Sequence, residues 1–198
     1  MPVGYAADGL PASGTGDEKP MNIYVSVGTH EQPFQRLLDA VALAVDEAGD
    51  HRYIVQYGVG EWSAISDRVE RAVDYLTPQG VAESLEWADI FISQASPGNV
   101  FGALDAGVWP LVLGRRHANA EHVDDHQVRF ASVLEEMGLA TDIHDAGTLA
   151  HKIAEAATVD PEERRARIAD AMRSSEARRE MFREQTWSLI LGLRGARA

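Results

Sequence analysis

From Asn22 onward the apolar positions alternate between two periods. Asn22–Val27, Arg52–Tyr57, Ile90–Ser93 and Trp109–Leu113 are short apolar runs of strand length, and 140–143 is a shorter one. Between them the spacing turns helical. Phe34, Leu37, Leu38, Val41, Leu43 and Val45 give Pro33–Glu47 a broad apolar face. Ala72–Leu76 reads as a short strand, whereas 61–71 has no clear period. Thr77-Pro78 has the form of an N-cap followed by proline at the first helical position. Further helices are predicted over Pro97–Ala106, closed by Gly107, from about Val123 to Gly138, and over 147–157. Strands that alternate with helices predict an α/β domain. Its sheet is expected to be mostly parallel, with helices on both faces.

The two ends break this pattern. Residues 1–20 are rich in Gly, Ala and Pro, lack periodicity and read as a disordered leader, with Met21 an alternative start. Pro161 opens a strongly charged helical extension over 161–198. Its later part, Met181-Phe182 through Leu191, is amphipathic and either returns across the domain or docks onto a partner. No internal repeat is present.

Composition narrows the function classes. A chain of 198 residues suggests one domain with a core large enough to fold alone. The net charge of -13 argues against unaided binding to nucleic acid or an anionic membrane surface. Cysteine is absent, which removes disulfides and thiolate chemistry. No segment approaches the roughly 18 to 20 apolar residues of a membrane span, and the first residues lack the form of a signal peptide. These features point to the cytoplasm.

Three strand-to-helix corners carry candidate chemistry. In Val27-Gly28-Thr29-His30-Glu31-Gln32, Gly28 permits a tight turn and a close backbone approach; the loop is either a ligand loop or only a turn. In Ser93-Gln94-Ala95-Ser96-Pro97-Gly98-Asn99, Ser96 can cap the helix, and Gly98 and Asn99 present amides at its start. That arrangement suits a diphosphate and equally an ordinary capped helix. The Arg115-Arg116-His117 cluster either attracts a diphosphate or sits on the surface. In Glu121-His122-Val123-Asp124-Asp125-His126-Gln127, His122 and His126 stand four apart, a spacing that suits one helix face. A metal site, solvated carboxylates at a helix start, and recognition of sugar hydroxyls all remain open.

These motifs together resemble the carboxyl-terminal, nucleotide-sugar-binding half of family 28 GT-B glycosyltransferases. The likeness is greatest to the stand-alone PssE type of bacterial exopolysaccharide assembly. The soluble subunit of the eukaryotic dolichol-linked N-acetylglucosamine transferase is similar, as is the donor half of MurG. The resemblance rests on Ile23 to Phe34, on Ser93 to Gly107 and on Glu121 to Gln127, and covers about residues 21–160. It implies a Rossmann-like domain, the carboxyl-terminal half of a GT-B fold, that binds a UDP-sugar without a metal or other cofactor. Gly28 and Thr29 would line the diphosphate side, and Tyr75 and Leu76 would meet the uracil. Ser96, Gly98 and Asn99 would hold the diphosphate, with Arg115 in support. His126 and Gln127 would contact the donor sugar, with Glu121, His122 and Asp125 beside them.

The resemblance also implies a partner. The acceptor would be a lipid-linked sugar held by a separate, membrane-anchored amino-terminal half, which would place this chain at the inner membrane face. The expected function is the donor-binding subunit of an inverting two-part glycosyltransferase in exopolysaccharide or glycan assembly. The general base is expected from the partner, and His30 is the one candidate in this chain. Two positions depart from the family. Gln94-Ala95-Ser96-Pro97 stands where the family usually has His-Gly-Gly-Pro, and the added Cβ atoms narrow the approach to phosphate. Gly102 stands where an acidic residue would bind ribose, and Asp105 is the nearest substitute. The alternative reading is therefore a degenerate, non-catalytic interaction or regulatory subunit of a glycosyltransferase complex.

Overall fold

The computed structural model describes residues 19–195, with the side chains of 178, 179 and 181–195 outside the description. The first eighteen residues of the expected leader, and the side chains of the expected docking face over 181–191, thus lie outside the described residues. In chain order the elements are β1 (Asn22–Ser26), α1 (Gln35–Glu47), β2 (Arg52–Gln56), β3 (Val69–Val73), α2 (Pro78–Trp87), β4 (Ile90–Gln94), α3 (Pro97–Asp105), β5 (Trp109–Leu113), α4 (His126–Glu136), β6 (Thr141–Asp142), α5 (Leu149–Thr158) and α6 (Pro161–Gly195). The strands form one sheet in the order β3-β2-β1-β4-β5-β6. Every neighbouring pair is parallel, so the mostly parallel sheet expected from the sequence is wholly so. The order reverses between β1 and β4. An open α/β sheet leaves a crevice at such a point, beyond the carboxyl ends of its strands.

The register of β1 on β4 divides the core into two faces. Ile23 and Val25 lie beside Ile90 and Ile92, while Tyr24 and Ser26 lie beside Phe91 and Ser93. Successive side chains of a strand point to opposite faces, so the branched residues share one face and the aromatic and hydroxyl residues the other. The branched face joins the main core with Leu37, Leu38, Val41 and Val45 of α1, all buried. Burying one such side chain contributes about 1.5–3 kcal/mol. On the other face Tyr24 and Phe91 stack at 5.0 Å and pack with Leu85 of α2 and Ala103 of α3. Ser26 and Ser93 continue this face toward the crevice, where strand sequence turns polar.

Two boundaries differ from the sequence reading, each for a local reason. β3 spans Val69–Val73, three residues before the predicted 72–76. Thr77 is occupied as the cap of α2, its hydroxyl accepting from the Gly80 N–H at 3.1 Å, so the residues just before it form a connector. The polar residues Glu70 and Arg71 obscure β3 as an apolar run because its surface is largely exposed. α4 begins at His126 and not at Val123. Asp124 accepts from the His126 N–H at 2.9 Å, and Asp125 from the His117 N–H at 2.7 Å. These bonds hold 121–125 as a loop in place of a first helical turn.

The first turns of α6 belong to the core, since Ile168 and Ala171 are buried in it. The domain core thus runs past the boundary expected at 160. Arg164 donates to the Ala156 carbonyl at 2.9 Å, and Arg167 lies over the Trp109 ring at 5.2 Å. Among the described residues no helix is long and apolar enough to cross a membrane.

Candidate functional site

A cavity of about 340 Å³ lies at the crevice between β1 and β4. Gly28, Thr29, Ser96, Gly98 and Asn99, expected from the sequence, all line it. So do Gln94, named in the sequence only as a departure from the family pattern, and Tyr24, Ser26 and Gln56, which the sequence reading passed over. Ser96 occupies the N-cap position of α3 with no side-chain cap bond, and Pro97 follows as the first helical residue. Gly98 and Asn99 therefore present first-turn amides with no partner inside their own helix, at its positive end. The polar floor is tied together. Asn99 Nδ2 donates to Ser93 Oγ at 2.6 Å, and Ser93 Oγ donates to the Ser26 carbonyl at 2.9 Å. Tyr24 donates to Gln56 Oε1 at 3.2 Å. The arrangement is a preformed, uncharged pocket with helix-start amides, which suits an anion carried on a larger neutral body.

Of the two residues expected to narrow this site, only Ser96 borders it. Ala95 is buried in the main core. Gly28 has φ +78°, and a Cβ there would fall 2.2 Å from Gln94 Nε2. Its glycine is what lets the Gln94 carboxamide cross beneath the loop.

Arg115 and Glu121 do other work than the diphosphate and sugar contacts expected of them. Arg115 is 1% exposed. Its Nε donates to Gln94 Oε1 at 2.6 Å, and its terminal nitrogens donate to the carbonyls of Gln32 (2.8 Å), Glu121 (3.1 Å) and Val27 (2.9 Å). The guanidinium lies over the Phe34 ring at 4.6 Å. One side chain thus joins all three corners found in the sequence. Burial lowers its pKa to about 10, against the favourable charge of Glu121, so it remains protonated at neutral pH. Glu121 is also buried, in a two-pronged pair with Arg36 at 2.9 and 2.8 Å, and it accepts from the Arg116 N–H at 2.8 Å. Both carboxylate oxygens are used within the protein.

Burial works against the charged form of Glu121. The Arg36 hydrogen bonds and the Arg116 amide outweigh it and hold the carboxyl below its ordinary value of 4.5. A carboxyl whose pKa is lower folded than unfolded contributes stability above the unfolded value and loses it as pH falls through the folded one. Urea unfolding is therefore expected to show stability falling as pH drops below about 4.5. Glu121→Gln should flatten that acid slope. Parallel slopes for the two proteins would show that Glu121 is not the group responsible.

The histidines gather at the edge of the crevice. The His30 and His122 ring centroids are 4.7 Å apart, and those of His122 and His126 are 4.5 Å apart and edge-on. They meet because the 121–125 loop folds back, and not through a shared helix face. Burial, then His126 and His30, hold the His122 ring below the usual imidazole pKa, against the pull of Asp124. His122 Nδ1 is buried and has no hydrogen-bond partner. His122, Asp124 and His126 offer ligand atoms within 4.8 Å of one another, a set that could hold a metal ion. Asp124 already accepts from the His126 amide, and the His126 ring Nδ1 lies against the same oxygen. His30 Nδ1 accepts from the Gln32 N–H at 3.3 Å, which occupies its basic nitrogen in that tautomer.

The remaining predicted residues are dispersed. Gln127 is buried, and its Oε1 accepts from the Arg115 N–H at 3.4 Å. Asp125 is exposed and bonded to the His117 amide. Tyr75 is 45% exposed, and Leu76 packs against the Tyr24–Phe91 cluster; neither lines the cavity. Val81 and Leu85 of α2 do. Asp105 is exposed and does not line it. The overlooked lining residues had one signal in the sequence. Tyr24, Ser26 and Gln56 are hydrogen-bonding positions inside otherwise apolar strands.

The family described as "Glycosyltransferase family 28 C-terminal domain" matches residues 22–181. No curated protein sequence matches the chain. Among solved structures, the glycotransferase of kitacinnamycin is similar with TM-score 0.59 and 20% identity, over 83% of this chain and 41% of that one. CalG4, the calicheamicin glycosyltransferase, is similar with TM-score 0.58 and 17% identity, over 83% and 41%. Arabidopsis thaliana UGT89C1, solved with quercetin, is similar with TM-score 0.57 and 19% identity, over 79% and 38%. At these identities the likeness concerns the fold. The chain spans about two fifths of the length of these structures.

Proposed function

The chain belongs to the glycosyltransferase family 28 C-terminal domain family, and on that premise we propose that it is the donor-binding part of a two-part, inverting glycosyltransferase. The donor is a UDP-sugar. Its diphosphate sits on the Gly98 and Asn99 amides at the start of α3, and its nucleoside enters the cavity between α2 and α3. The single observation that carries this reading is an uncharged cavity with unpartnered helix-start amides, placed where the strand order of a parallel sheet reverses.

The acceptor hydroxyl attacks the anomeric carbon from the face opposite the diphosphate. The bond from that carbon to the phosphate oxygen breaks, and the hydroxyl proton passes to a base. The developing charge on the leaving diphosphate is met by amides already oriented toward it, which need no reorganisation during the reaction. The base and the lipid-linked acceptor belong to a membrane-anchored amino-terminal half, a separate polypeptide that brings this acidic chain to the inner membrane face. The function lies in the assembly of an exopolysaccharide or related glycan.

Calorimetry against UDP-, GDP- and TDP-sugars, with the chain alone and co-expressed with its membrane-anchored half, tests this. Binding of a UDP-sugar in the micromolar to millimolar range is expected. Absence of binding in both preparations would sink the reading. On the sugar side, His126 is the exposed member of the histidine row. His126→Ala should weaken UDP-sugar about tenfold, the value of one hydrogen bond to a ligand, while UDP alone binds as before. Equal losses for both ligands would place His126 away from the sugar.

A further inference from the structure

His122, Asp124 and His126 stand apart from the residues that line the cavity, and their ligand atoms fall within 4.8 Å of one another. The bonds of the 121–125 loop decide which carboxylate joins the rings. Asp125 is drawn away to the His117 amide, while Asp124 accepts from the His126 amide and stays between the two imidazoles. Two observations set this group apart from surface residues that merely meet. The first is His122 Nδ1, which is buried without a hydrogen-bond partner on a side chain only 11% exposed. Buried polar atoms are ordinarily paired, and an imidazole lone pair can take a metal ion in place of a proton donor. The second is spacing. Asp124 Oδ1 lies 3.9 Å from His122 Nδ1, too far for a hydrogen bond. Two atoms on one zinc ion, each about 2.0–2.2 Å from it, lie up to roughly 4.2 Å apart, so one ion spans that gap. His126 Nδ1 meets the same oxygen at 2.5 Å. The Asp124 and His126 side chains are 56% and 51% exposed, so they are free to part by the roughly 1 Å that tetrahedral ligation asks.

We propose that His122, Asp124 and His126 bind one first-row transition-metal ion of the zinc class, with His122 Nδ1 as the anchoring ligand. Two imidazoles and one carboxylate suit Zn²⁺ and its neighbours, whereas Mg²⁺ and Ca²⁺ take all-oxygen sets. Three protein ligands leave one position for water or a ligand. The ion ties the 121–125 loop to the first turn of α4, which begins at His126. With the ion on Nδ1, the other nitrogen of the His126 ring is left as a hydrogen-bond donor. On the donor-site reading that nitrogen is the one offered to the sugar. The metal site itself does not rest on that reading, because it uses none of the cavity-lining residues.

The test is calorimetry of Zn²⁺ into the chelator-treated full chain, with no nucleotide present. One ion per chain is expected in the micromolar range, undisturbed by excess Mg²⁺. His122→Gln and Asp124→Asn should each weaken Zn²⁺ about tenfold or more, since even residues that only support a metal ligand are worth about 10–100-fold. His144→Ala is the control. His144 pairs with Glu135 and Asp142, a separate gathering of imidazole and carboxylates, and its loss should leave Zn²⁺ affinity unchanged. Zn²⁺ should also raise the urea midpoint of the wild type and not that of His122→Gln, as an ion that binds only the folded chain would. The midpoints without metal show that both variants fold. Absence of Zn²⁺ binding overturns the proposal. So does displacement of Zn²⁺ by Mg²⁺, which would mark a general attraction to an acidic chain, and so does an affinity unaltered in both His122→Gln and Asp124→Asn. A donor sugar that failed to bind would touch the donor-site reading alone.

Discussion

Arg115→Met is expected to lose about 3–5 kcal/mol of stability in urea unfolding, the usual cost of removing one member of a buried charged network. Methionine keeps much of the stem volume, so the change removes the guanidinium with its hydrogen bonds and its contact over the Phe34 ring. Four acceptors lose their donor at once: Gln94 Oε1 and the carbonyls of Val27, Gln32 and Glu121. Three are backbone carbonyls that cannot turn toward water without moving their loops. Each buried group left unpaired costs about 1–3 kcal/mol before relaxation, so the four exceed the net figure only if nothing moves. With total stabilities of about 5–15 kcal/mol, the variant should remain folded with a clearly lower midpoint. Arg115→Lys should recover part of the loss. It restores the charge but not the fork that reaches three loops. A midpoint for Arg115→Met within about 1 kcal/mol of wild type would show that the loops hold without this side chain.

This network explains how far the site was legible in the sequence. The strands were legible because Ile23, Val25, Ile90 and Ile92 share a face that must be apolar, and period two records it. β3 was displaced because an edge strand with exposed Glu70 and Arg71 has no such constraint. At the site, the residues that line the cavity by their backbone were found from glycine and helix-start chemistry: Gly28, Gly98 and Asn99. Charged residues were misplaced. Arg115 and Glu121 look like surface ligands in a linear reading, because charge is rarely buried unless it is paired. Their partners are remote in sequence. Gln94 lies 21 residues from Arg115, and Arg36 lies 85 from Glu121. Only the fold brings them together, so no local pattern announces that these charges hold the corners in place. The histidine row has the same origin, since His30 reaches His122 through the meeting of two loops.

Gly114→Ala is expected to cost about 3 kcal/mol, near the upper end for overpacking, and to displace the start of α4. The added Cβ would lie 2.6 Å from the Val128 Cα, 2.7 Å from its nitrogen and 2.9 Å from the Gln127 carbonyl carbon. All three are backbone atoms of the first turn of α4, so no side-chain rotation relieves the contact and the helix or the end of β5 must retreat. That approach is also what lets the Gln127 carboxamide meet the Arg115 amide and sets His126 beside His122. The variant should therefore weaken UDP-sugar more than UDP, since the amides proposed to hold the diphosphate sit on a different helix. Gly102→Ala supplies the contrast. Its Cβ meets nothing within 4 Å and it lies within α3, so the same chemical change should stabilise by about 0.4–1 kcal/mol through the unfolded chain. Urea midpoints that move in opposite directions for the two substitutions are the expected result. If the two moved together, the spacing of α4 against β5 would not depend on a missing methyl group at Gly114.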